Sequence, residues 1–206
     1  MYGILLAMLV YNLFLFFSIR ERSYIYYVGT VASQLLFLFL DSKQVRYIRD
    51  ELFNATYIVD MAERLIYPVM VIAALLFQRS LLRIWEHNPQ LDRIVKILIT
   101  CFGGVILLSF LPSEQYFQYS FVFFLFIGVP LALYNNIDAI RRGDVTALVH
   151  MAAMGVFLLG TVVLMLLQLV PFFPANIITT SAYQIGLIAQ PMLLSISLAF
   201  RYNQIK

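Results

Sequence analysis

Apolar residues run along this chain in long unbroken stretches, with charges gathered between them. The longest stretch without Asp, Glu, Lys or Arg extends from Val145 to Phe200. A membrane-crossing helix needs about 20 mostly apolar residues, so this stretch has room for two. Pro171, Pro174 and Asn176 punctuate its middle, and the pattern predicts helices over 147–170 and 178–200. Gln115 to Ile137 is a further charge-free run, and Ile97 to Ser113 another, closing on the stop signal Leu111-Pro112-Ser113. Met1 to Ile19 and Ser23 to Leu40 add two more. The shortest is Leu65 to Gln78; it spans if its helix starts near Tyr57, with Glu63 and Arg64 at the interface. The predicted architecture is all-α, a polytopic membrane protein of seven transmembrane helices over 1–19, 23–40, 57–82, 95–111, 115–137, 147–170 and 178–200. Barrel strands would alternate apolar and polar residues over about ten positions, and these runs do not.

Loop charges orient the bundle. With seven spans, one side holds Arg20, Arg22, Arg79, Arg83, Arg93, Lys96, Arg141, Arg142, Arg201 and Lys206, and the other Lys43, Arg46, Arg49 and Arg64. Cytoplasmic loops carry the Lys/Arg excess, so the N-terminus is expected outside and the C-terminus in the cytoplasm. Tyr24, Tyr26, Tyr27, Trp85 and Tyr202 then fall near the inner interface, and Tyr57, Tyr116, Tyr119 and Tyr183 near the outer one. The first apolar run begins almost at Met1 with no basic n-region or small-residue cleavage site, unlike a removable signal peptide. The sequence is read as a segment of a longer chain, the other reading being a short N-terminal tail carried across the membrane.

Composition narrows the class. Of 206 residues, 62% are apolar and 12% charged, against about 45–50% and 25% in soluble domains. A soluble enzyme, a disordered protein and a nucleic-acid-binding domain are excluded. The net charge of +3 is accounted for by topology. Cys101 is the one cysteine, so there is no intrachain disulfide and no cysteine-based metal site.

Most membrane chemistries lack their residues here. Retinal proteins need a lysine in the last helix, and 178–200 has none. Pumps place carboxylates or histidines within the membrane, whereas all eleven acids lie in loops or at helix ends. His87 is expected in a solvated loop and His150 at the interface; two histidines without an acid pair make a poor zinc site. Ser195 and Ser197 have no base nearby and suit helix packing. No enzymatic activity, cofactor or metal is expected. Asp60 and Glu63, three apart, share a helix face, which fits either a solvated helix start or a cation site.

Uncharged polar residues remain inside the spans: Asn12, Gln34, Gln168 and Gln190. An unpaired amide is costly in lipid, so each is expected to face another helix or a cavity. Each can serve as an interhelical hydrogen bond, worth about 0.6–2 kcal/mol, or as part of a ligand pocket or switch. Pro191 follows Gln190 and removes a backbone donor, so a bend near 187–191 is expected, with Gln190 facing the bundle. Gly103, Gly104, Gly155 and Gly160 are expected to permit close helix approach.

The order of several segments resembles a family. Tyr2-Gly3-Ile4-Leu5-Leu6-Ala7-Met8 through Tyr11-Asn12 is similar to its first helix, and Arg20 to Tyr27 to its first inner loop. Phe77-Gln78-Arg79-Ser80-Leu81-Leu82 with Pro89-Gln90-Leu91-Asp92-Arg93 resembles the second inner loop, and Arg141-Arg142-Gly143 the third. Ile185-Gly186 and Leu193-Leu194-Ser195 through Leu198-Ala199-Phe200-Arg201 resemble the last helix and its exit. The family is that of bacterial seven-transmembrane receptors with diverse intracellular signalling modules. Its members often have a glutamate where this chain has Gln190.

The resemblance implies a sensor core in the bacterial inner membrane, cut from a longer chain or standing alone. Relatives usually place an extracytoplasmic sugar-binding-like domain before the first helix. After the last they place a histidine kinase, diguanylate cyclase or similar output domain. Two-component or cyclic-di-GMP signalling, a homodimer and an unknown small ligand are the implied context, with the bilayer as partner and no nucleic acid. The expected mechanism is a helix shift, chiefly of the seventh span, leaving through Arg201 to Lys206. The alternatives are a small-molecule or lipid carrier and a membrane scaffold without a ligand.

Overall fold

Continuously apolar segments satisfy their backbone groups internally as helices, and that is the form they take. The computed structural model describes residues 2–40, 42, 55–111, 114–169, 174 and 176–205. Among them the chain is helical throughout: α1 (Tyr2–Ile19), α2 (Arg22–Leu40), α3 (Ala55–Leu81), α4 (Ile84–His87), α5 (Pro89–Leu108), α6 (Glu114–Arg141), α7 (Val145–Leu169) and α8 (Ile177–Ile205). Five of these, α1, α2, α6, α7 and α8, are long and apolar enough to cross a membrane. The remaining long helices, α3 and α5, carry charges: Asp60, Glu63, Arg64 and Arg79 in the first, Asp92, Arg93 and Lys96 in the second.

Helix ends follow local chemistry more than apolar runs. The α5 helix starts ahead of its apolar run because Asn88 caps it, accepting from the Leu91 N–H at 3.1 Å, with Pro89 in the first turn. The α6 and α8 helices continue past Ile137 and Phe200 into charged and polar sequence, where nothing breaks them. Pro68, Pro130 and Pro191 sit inside continuous helices. His87 was expected in a loop; it instead ends the one-turn helix α4, exposed. The α1–α2 and α3–α4 turns are tight: Arg20 and Arg83 adopt positive φ of 57° and 44°, an unusual conformation for non-glycine residues. Gly143, at φ +85°, fills the α6–α7 turn, where only glycine is unstrained.

The helices α7 and α8 pack backbone against backbone. A Cβ on Gly160 would lie 2.7 Å from the Ala182 carbonyl oxygen, and one on Gly186 would lie 3.2 Å from that of Val156. Of the four glycines expected to permit close approach, only Gly160 does so; Cβ atoms on Gly103, Gly104 and Gly155 would meet nothing within 4 Å. The buried core is centred on Tyr27, Phe77, Leu81, Leu187, Leu194 and Leu198. By contrast α1 buries only Leu5 and Asn12 and exposes Phe14 and Phe17. Such an apolar outer face suits contact with lipid.

Three connections and the end of α8 meet at one end of the bundle. Ser23, at the start of α2, lies 3.0 Å from Ser80 at the end of α3. Ser197 of α8 donates to the Thr146 carbonyl of α7 at 3.1 Å. Arg83, His87, Arg142, Asp144 and Arg201 line one depression of about 260 Å³ there.

Candidate functional site

Residues 190, 194, 197 and 201 recur at spacings of three and four, so they share one face of α8. All four are buried. On α2, Tyr27 and Gln34 are seven apart, also on one face. These two faces meet. The Gln34 Nε2 donates to Gln190 Oε1 at 2.7 Å. The Tyr27 hydroxyl donates to the Pro191 carbonyl at 2.9 Å. Farther along, the Arg201 guanidinium pairs with Glu21, Nε to Oε1 at 3.3 Å. Ser23 donates to the same carboxylate oxygen at 3.2 Å, and Glu21 Oε2 is buried without a partner. The last helix is therefore tied to α2 and its preceding turn by three polar contacts, from mid-helix to the charged end.

Beside this seam is a cavity of about 130 Å³, lined by residues of α2, α3, α6, α7 and α8. Its polar lining consists of Thr30, Gln34, Gln78, His150 and Gln190. Phe77, Met154, Phe157 and Leu194 are among its apolar walls. Gln78 donates through Nε2 to the Ala132 carbonyl at 2.7 Å, which also accepts from Asn136 Nδ2 at 2.9 Å. His150 Nδ1 lies 2.8 Å from Asn136 Oδ1, and with that oxygen as acceptor the ring nitrogen donates. The imidazole also packs on Phe77, centroids 5.8 Å apart. The Oε1 atoms of Gln34 and Gln78 are buried and accept no hydrogen bond. Among the described residues, no Asp, Glu, Lys or Arg lines the cavity.

Of the residues singled out in the sequence, Gln34, Gln190, Pro191 and Arg201 are brought together along the seam. Asn12 is not: it is buried in α1, its Nδ2 donating to Met8 of its own helix at 2.9 Å. Gln168 lies in α7, with its side chain outside the described residues. The loop acids Asp50 and Glu51 also fall outside them. Asp60 and Glu63 share a depression with Arg64, whose charge opposes a cation there. Among the described residues, no group of three His, Cys, Asp or Glu is placed to hold a metal.

His150 is 4% exposed and faces the inside of the bundle. Its position near the start of an apolar run marks a boundary in the sequence, and the α6–α7 turn sets the second turn of α7, with His150, against Asn136 of α6. Tyr27, Gln78 and Asn136 were missed. Asn135-Asn136 inside a charge-free run was the available signal; Tyr27 resembled one of several interfacial tyrosines. At the charged end, Asp92 accepts from Arg79 and pairs with Lys96 Nζ at 2.7 Å. Burial pushes its pKa up, but the hydrogen bonds and charges of Arg79 and Lys96 outweigh burial and hold it below the ordinary carboxylate value.

A family described as 7TM diverse intracellular signalling matches residues 1–201. No curated protein and no solved structure matches the chain.

Proposed function

Because the chain belongs to the 7TM diverse intracellular signalling family, we propose that it is the transmembrane sensor domain of a receptor in the bacterial inner membrane. In this reading α1, α2, α3, α5, α6, α7 and α8 cross the bilayer, and α4 lies at the inner face. The N-terminus is outside and the C-terminus is cytoplasmic. The gathering of basic connections at one end supports that orientation. A signal from outside, or from within the membrane, shifts α8 and passes through Arg201 to a cytoplasmic output module of the histidine kinase or diguanylate cyclase type.

The observation that carries this reading is the polar seam. Relay requires two states that differ in defined contacts. The Gln34–Gln190, Tyr27–Pro191 and Glu21–Arg201 contacts can each be made or broken by a small displacement of α8. Apolar packing around them has no such discrete alternatives. The test is a chimera of residues 1–206 followed by a diguanylate cyclase, with product measured in cells. Glu21→Arg should change basal output several-fold, and Glu21→Arg with Arg201→Glu should restore it. Output that ignores all three sequences, with protein present in the membrane at equal levels, would overturn the relay.

A further inference from the structure

We infer that the cavity between α2, α3, α6, α7 and α8 is a binding site for a small, neutral, largely apolar molecule carrying an N–H or O–H donor. The inference rests on the sensor reading and supplies its ligand class. Three features define the ligand. The volume, about 130 Å³, is close to the roughly 150 Å³ at which an apolar protein cavity accepts benzene. Among the described residues the lining has no Asp, Glu, Lys or Arg, so an ion entering it would lose its hydration with no counter-charge from them to replace it. The walls include the Phe77 and Phe157 rings, which suit an aromatic or other flat apolar body.

The donor requirement comes from the two glutamines. Gln34 and Gln78 are each 2% exposed and line the cavity from α2 and α3. Each uses its Nε2 on protein, toward Gln190 Oε1 and the Ala132 carbonyl, and each keeps an Oε1 without a donor. Buried polar atoms in native proteins are nearly always satisfied. The terminal amide torsion is broad, so a modest rotation presents either oxygen to an occupant. A ligand donor would complete a set that the protein leaves open on the acceptor side alone. Because Gln34 is bonded to Gln190, the same occupant would act directly on the α2–α8 seam.

The test uses residues 1–206 in lipid nanodiscs, with 5-fluoroindole as probe and ¹⁹F NMR as readout. Its isostere 5-fluoro-1-benzothiophene, which lacks the N–H, is the control, and empty nanodiscs measure partition into lipid. The expected result is saturable binding of the indole, about 5–10-fold tighter than the benzothiophene, as one hydrogen bond predicts. In Gln34→Leu combined with Gln78→Leu that preference should fall toward unity, and Ala74→Phe, which fills the cavity, should abolish saturable binding of both. Uptake no different from empty nanodiscs, or equal affinity for the two probes in the unmodified protein, would overturn the inference. Because the probe pair decides on the unmodified chain, a variant that fails to fold does not rescue it. Failure of binding leaves the Glu21–Arg201 relay standing, and failure of the chimera leaves the binding site standing.

Discussion

At the scale of single residues, space and charge decide more than residue type. Gly160 and Gly103 look alike in the sequence, each in an apolar run, yet only Gly160 has a neighbouring backbone within contact of its missing Cβ. Gly160→Ala should destabilise by about 1–3 kcal/mol, since the backbone of α7 or α8 must shift. Gly103→Ala should be neutral or stabilise by up to about 1 kcal/mol through helix propensity. Thermal unfolding of the purified proteins in detergent checks both, and equal midpoints would refute the packing argument. Asp92 gives a pH prediction. Its carboxyl is held below the ordinary value by Arg79 and Lys96, so the ionised form is preferred in the folded state. A depressed carboxylate contributes stability above the unfolded value of about 3.9 and loses it as pH falls through the folded value. Asp92→Asn should therefore cost about 1–3 kcal/mol at pH 7. The difference from the unmodified protein should shrink on acidification below about pH 4, followed by chemical unfolding across that range. A difference that stays constant down to pH 3 would show that the loss is one of packing.

At the scale of elements, α8 is where sequence and structure are best compared. Residues 187–191 remain helical through Pro191, although the ring denies the Leu187 carbonyl its usual donor. The structure adds that Tyr27 bonds the proline's own carbonyl from a neighbouring helix. Tyr27→Phe should cost about 0.5–1.5 kcal/mol, and combined with Pro191→Ala it should be non-additive, since the two groups touch. Spin labels at positions 181 and 200 measure the end-to-end distance of α8. The distance should lengthen in Pro191→Ala if the proline bends the helix, and an unchanged distance would dismiss the bend. Much of this element was legible beforehand: the apolar run placed α8, and Gln190 and Pro191 stood out as polar and helix-disturbing residues. What they touch was not legible, because a helix that is apolar on all sides carries no periodic signal of which face packs. The burial of His150 and of Gln78 was hidden for that reason. Both sit near the ends of apolar runs, where a boundary and a buried polar residue look the same. The short helix α4 was hidden likewise, its four residues being fewer than any hydrophobic period can mark.

At the scale of the whole molecule, loop charge bears on which end faces the cytoplasm. The contacts between Ser23 and Ser80, Ser197 and Thr146, and Arg201 and Glu21 place the α1–α2, α3–α5 and α6–α7 connections and the end of α8 together. That grouping is what seven crossings require, and among the described residues it collects nine of the chain's fourteen basic residues. If those residues lay outside, the chain would invert the bias that sets topology during insertion. The family description adds intracellular signalling, which needs an exit on the cytoplasmic side; the seam along α8 leads to Arg201 at this same end. Orientation and relay are thus coupled: reversing the bundle would deliver the shift of α8 to the wrong compartment. With Cys101 replaced by Ser, single cysteines at positions 114 and 144 report on the two ends. An impermeant thiol reagent added to intact cells should label position 114 strongly, and position 144 only after the inner membrane is opened. The reverse pattern would refute the orientation and, with it, signalling through Arg201. Labelling of both positions from outside would put the ends of α6 on the same side and remove it as a crossing helix, leaving an even number of spans and the two chain termini on one face.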